Sequence, residues 1–96
     1  LKNEYFVFTG TLTTMTRKQA QFIIEGLQGN FQNSVTRKTT RLVTGYFPII
    51  SLGDIPSQKI IEGKKAIESG QKLMIMSEKE FLEFLAQFFN LLSKGL

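Results

Sequence analysis

Thr9 and Gly10, with Arg17 and Lys18 a short polar stretch later, are residues whose types and spacing can hold an anion. Tyr5-Phe6-Val7-Phe8 is an unbroken aromatic and β-branched run, the pattern of a strand covered on both faces. It stops at Thr9-Gly10, a small hydroxyl residue followed by one without a Cβ, where the backbone can turn sharply. Thr16-Arg17-Lys18-Gln19 then fits a capping box and predicts a helix starting there. A buried strand, a polar loop and a helix N-terminus make a corner whose free N–H groups and dipole favour a phosphate. Arg17 and Lys18 oppose that dipole, a local cost that a bound anion would offset. Taken singly, Thr9 could satisfy its own hydroxyl at a strand end and Gly10 could merely permit the turn.

The elements around this corner can be read in order. The first helix is predicted over about Arg17 to Gln28, with Ala20, Ile23, Ile24 and Leu27 on one face. Gly26 inside it points to close packing, and Gly29 supplies the stop. Phe31 to Val35 reads as an edge strand. Thr36 to Thr40 is a basic, hydroxyl-rich turn that holds the sheet edge. Arg41 to Gly45 is a second short buried strand, and Tyr46 to Pro56 is a loop containing both prolines. Ser57 caps a second helix running to about Ser69, with Gly63 weakening its middle. Lys72 to Met76 is another apolar strand. Ser77-Glu78-Lys79-Glu80 is a second capping box and opens a last helix to about Leu92. The order β-α-β-β-α-β-α implies an α/β fold, a small parallel sheet with helices on both faces and the first strand central.

Composition narrows the chemistry. Ninety-six residues suit one domain, 1–96. Starting at Leu1 rather than Met, the chain reads as a piece of a longer protein. There is no Cys and no His, which removes thiol nucleophiles, imidazole bases and ordinary zinc sites. No phosphate loop of the G-x-x-x-x-G-K type occurs, so no catalytic residue, metal ligand or cofactor site is assigned. No apolar run spans a bilayer, and no membrane partner is expected. The net charge is +4. Basic residues Arg17, Lys18, Arg37, Lys38 and Arg41 crowd one half against the single acid Glu25, a pattern that suits a polyanion. Lys18, Arg37 and Lys38 are therefore secondary candidates for DNA contact. Phe81, Leu82, Phe84, Leu85, Phe88 and Phe89 cover more of the last helix than one sheet can bury. Phe84, Phe88 and Phe89 are the candidate surface for another domain or a protein partner.

These residues resemble a known family. F-V-F-T-G-T-L with Thr16-Arg17, the stop at Gly29, V-T-R-K-T-T-R-L-V-T-G from Val35 to Gly45, S-Q-K at Ser57 to Lys59 and G-Q-K-L-M-I-M-S-E-K-E-F-L are similar to the BRCT domain. The likeness runs from Tyr5 to about Leu85. It is nearest the bacterial forms found in NAD-dependent DNA ligases and in exonuclease-type proteins similar to the polymerase III epsilon subunit. Many BRCT domains carry a Trp in the last helix where Phe81 stands here.

The resemblance implies a four-stranded parallel sheet in the order 2-1-3-4, with two helices on one face and one on the other. It also implies a phosphate site. Thr9, the Gly10 N–H and Lys59 match the Ser or Thr, the next amide and the helix-opening Lys of phosphate-binding members. Arg17 matches a basic residue of the clamp-loader large subunit, which grips 5′-phosphorylated DNA ends. Lys65 competes with Lys59 by its alignment with ligases, but it falls nearly two turns further along the helix. The resulting expectation is a non-catalytic module of a bacterial, cytoplasmic, nucleoid-associated replication or repair protein, binding the 5′-phosphate of DNA. Its parent would be a DNA ligase or a 3′-5′ exonuclease. The alternative is a protein-interaction domain that uses the last helix without phosphate.

Overall fold

In the computed structural model the described residues are 1–47 and 57–96. They form β1 (Tyr5–Thr9), α1 (Arg17–Gly26), β2 (Asn30–Gln32), β3 (Arg41–Thr44), α2 (Gln58–Glu68), β4 (Met74–Ser77) and α3 (Glu78–Lys94). The four strands make one sheet in the order β2-β1-β3-β4, and every neighbouring pair is parallel. The expected α/β architecture, order and central first strand are all present. From position 48 on, the expected proline-containing loop lies outside the described residues.

Alternation along β1 explains the two layers. Phe6 and Phe8 point to one face, where Ala20 and Ile24 of α1 and Phe81 and Leu85 of α3 meet them. Val7 points to the other face, into a smaller cluster with Leu42, Leu73 and, from α2, Ile60 and Ala66. Two helices thus cover one face and one helix the other. The larger cluster is aromatic at its centre: Phe81 sits edge-on to Phe8 at 5.3 Å and to Phe6 at 5.9 Å. Each such pair contributes about 0.5–1.5 kcal/mol beyond area burial.

Local boundaries differ from the sequence reading at a few points. The turn after α1 places Gln28, not Gly29, in the left-handed region (φ 68°). Gly29 is needed instead for space, since a Cβ there would lie 2.7 Å from Ile24 Cγ2. Gly26 meets nothing within 4 Å and so marks no close packing. β2 begins at Asn30, whose side-chain amide donates to the Lys2 and Glu4 carbonyls, and it ends before Val35. Both capping boxes form as predicted, Thr16 with Gln19 and Ser77 with Glu80. The Thr36–Thr40 turn holds the sheet. Buried Thr39 donates to Gln32 Oε1, and Thr40 Oγ1 accepts from the Tyr5 N–H.

α3 overshoots the sheet it packs on. Its 17 residues run about 25 Å, against about 13 Å for the 4 residues of β4. Its first turns are therefore buried, while Phe89, Leu91 and Leu92 beyond the sheet stay exposed.

Candidate functional site

Strand order creates the site. The chain leaves β1 for β2 on one side and leaves β3 for β4 on the other. Right-handed crossovers then send α1 and α2 to opposite faces. The carboxyl end of the sheet between β1 and β3, whose following helices cover opposite faces, is the switch point at which open α/β sheets bind ligands. Thr9 and Thr44, paired in register, stand at that crest.

Gly10 follows with φ 80°, a backbone conformation that L side chains rarely adopt. Immediately beyond, Thr11 and Tyr46 exchange backbone hydrogen bonds of 2.8 and 2.7 Å, in an isolated antiparallel bridge. Gly45 is what lets these segments touch, because a Cβ on it would lie 2.5 Å from the Thr11 carbonyl oxygen. The Thr11 N–H is thereby consumed. The Gly10 N–H has no acceptor among the described residues.

Four side chains from three segments converge on this turn. The Thr9 hydroxyl donates to Ser57 Oγ at 3.0 Å. Ser57 is the N-cap of α2 and also accepts from the Ile60 N–H at 3.2 Å. An oxygen that accepts twice keeps its own proton for a further acceptor. Lys59 Nζ donates to the Phe8 carbonyl at 3.0 Å, and the Arg17 guanidinium donates to the Gly10 carbonyl at 2.8 Å. Partial burial lowers the Lys59 ammonium below its ordinary 10.5, and the nearby Arg17 charge lowers it further, against a raising effect from Glu62. Neither cation has a carboxylate within salt-bridge distance among the described residues, where the one ion pair is Arg41–Glu4. The corner therefore presents an amide, a hydroxyl and two mutually repelling cations with donors to spare. That set is complementary to a tetrahedral oxyanion.

Glu78 fixes the loop that joins β1 to α1. Its carboxylate accepts from the backbone N–H groups of Thr13 and Thr14 and from both hydroxyls. Burial pushes this carboxyl up, but the Thr14 hydroxyl, the two amides and the Thr13 hydroxyl outweigh it. The net result is a fall from 4.5 to about 2. A depressed carboxyl stabilises the fold above its unfolded value and loses that contribution as pH falls through the folded one. Glu78→Gln should thus cost about 1–2 kcal/mol at neutral pH, discounted for solvent access. The cost should vanish between about pH 4.5 and pH 2, as urea unfolding across that interval would record.

The structure brings Thr9, Gly10, Arg17 and Lys59 to one corner, together with Ser57. Lys18 is exposed one residue along α1. Arg37 and Lys38 lie in the turn entering β3, at the amino end of the sheet and away from Thr9. There Lys38 Nζ sits 6.0 Å over the Tyr5 ring. Lys65 is in the last turn of α2. Phe84 is partly buried, packs on Phe6 and lies under the Arg41 guanidinium at 4.0 Å. Phe88 is half-buried, and Phe89 is 50% exposed. Glu78 and the hydroxyl of Ser57 add to what the sequence offered. Ser57 is the N-cap of α2 and Glu78 the first residue of α3, positions that sequence marks as helix starts without revealing the strand end or loop they face.

A parallel 2-1-3-4 sheet with a glycine-turned crest and helices on both faces defines the class, and sequence comparison agrees. The BRCA1 C-terminus (BRCT) domain matches residues 1–85, and the chain belongs to this family. It is 36% identical over 91 residues to a DNA ligase of Aquifex aeolicus, covering 95% of this chain and 11% of that protein. It is 39% identical over 80 residues to a DNA ligase of Persephonella marina, covering 83% of this chain and 9% of that protein. A DNA ligase of Syntrophus aciditrophicus is 37% identical over 82 residues, covering 85% of this chain and 10% of that protein. The chain thus spans about a tenth of the length of these relatives.

Proposed function

We propose that this chain is a non-catalytic module of a DNA replication or repair protein, and that it binds the 5′-phosphate of a DNA end at the crest between β1 and β3. The observation that carries the reading is the meeting of Lys59 and Arg17, each on a backbone carbonyl beside a Gly10 N–H that has no acceptor among the described residues. Two cations held together with no carboxylate in salt-bridge distance among the described residues are stabilised by an anion placed between them. That the relatives are DNA ligases supports DNA as the source of that anion. Thr9 holds Ser57 and thereby the start of α2, Gly10 and Ser57 donate to phosphate oxygens, and Lys59 and Arg17 neutralise its charge. Lys18 beside them would meet the adjoining backbone. Arg37 and Lys38, at the other end of the sheet, would reach only a more distant stretch of the same duplex.

A pair of duplexes differing only in a 5′-phosphate tests this directly. Titrated at moderate salt, the phosphorylated duplex should bind roughly tenfold tighter or more, the worth of a charge-assisted contact. Equal affinity removes the reading.

The exposed end of α3 supports a second reading, in which Phe88, Phe89, Leu91 and Leu92 dock on another protein. Under that reading both duplexes bind alike, and Phe88→Asp abolishes an association that Lys59→Met leaves intact.

A further inference from the structure

We infer that Phe47 is a stacking platform for the base of the nucleotide whose phosphate occupies the Gly10 corner. The inference rests on the phosphate reading above and specifies what else that site takes. Phe47 Cε2 lies 3.1 Å from where a Cβ on Gly10 would be, so the edge of the ring is laid against the turn whose amide has no acceptor among the described residues. The ring belongs to neither apolar cluster of the described residues, and 42% of the residue remains exposed. A phenylalanine that joins no core among the described residues, yet lies against the turn whose carbonyl accepts from Arg17, is an aromatic surface within reach of the same nucleotide. Its place is set by backbone rather than by core packing: Tyr46, one residue before, is bridged to Thr11 through both its N–H and its C=O.

Every base offers a π-face, so such a platform adds affinity without choosing a sequence, and an alanine-scale loss of stacking weakens binding roughly fivefold or more. Lys59 and Arg17 fix the phosphate, and the ring then holds the terminal base in line with it. The site becomes one for a nucleotide end rather than for inorganic phosphate.

The chain contains no Trp, so Phe47→Trp installs a single indole reporter at this position. Its fluorescence should be quenched by a 5′-phosphorylated duplex with a normal terminal nucleotide. The same duplex with an abasic residue at that end should quench much less and bind roughly fivefold or more weakly. Phe47→Leu, which keeps bulk but not the π-face, should erase the difference between the two duplexes while preserving the preference for phosphate. If both phosphorylated duplexes bind equally tightly without quenching, stacking is overturned and phosphate recognition stands. If neither binds better than its unphosphorylated counterpart, phosphate recognition fails and stacking at that corner fails with it. The two failures are thus separable.

Discussion

Phe81→Ala should cost about 3–5 kcal/mol of folding stability, a large part of the roughly 5–15 kcal/mol available to a domain of any kind. Phe81 is completely buried and stands edge-on to both Phe6 and Phe8, the two side chains that β1 sends to the α1/α3 face. Truncation removes two aromatic contacts and leaves a void between α3 and the sheet. Phe81→Leu, retaining most of the volume, should cost much less. Chemical unfolding of the three chains, with unchanged denaturant slopes, would establish the ranking. Because β1 also carries Thr9 and Gly10 at its end, Phe81→Ala should weaken any ligand at the crest through folding alone. Binding experiments therefore need the next variant instead.

Lys59→Met should lower affinity for a 5′-phosphorylated duplex by about 1.5–3 kcal/mol while leaving the fold nearly as stable. Burial and the Arg17 charge already disfavour the ammonium in the folded chain, so its removal relieves repulsion. The cost is the donor to the Phe8 carbonyl. The sign of the pH effect follows. A lysine whose folded value is lowered releases its proton sooner than an unfolded lysine, so the fold gains relative stability as pH rises between the two values. Phosphate affinity should decline over that same alkaline interval, earlier than an ordinary lysine would require, and the decline should be missing from Lys59→Met. Parallel titrations of both chains across alkaline pH would show it.

Much of this was legible in sequence because the decisive signals are local. Tyr5 to Phe8 announces a strand buried on both faces, and two capping boxes announce helix starts; all three lie where they were read. The corner was legible in part. Thr9-Gly10 and Arg17 follow from strand, turn and helix spacing, whereas Lys59 enters only through the BRCT resemblance, because nothing in Ser57-Gln58-Lys59 alone says which strand end faces it. In the sequence Glu78 stands only inside the capping box that opens the last helix. Its hold on Thr13 and Thr14, 65 and 64 positions away, is a tertiary contact that no local pattern encodes. Arg37 and Lys38 were grouped with Arg17 by charge density, but residues just before a parallel strand lie at its amino end, opposite those just after one. The stop of α1 shows how close competing local solutions can be, since Gln28 takes the left-handed turn and leaves Gly29 to make room for Ile24.

Amide chemical shifts recorded while 5′-phosphorylated and unphosphorylated forms of one duplex are added in turn test phosphate recognition at the β1–β3 crest most directly. Recognition there requires the Gly10 amide to move most, with the Ser57–Ile60 amides following, and only for the phosphorylated form. Shifts confined to the exposed end of α3, or identical for the two duplexes, would contradict it.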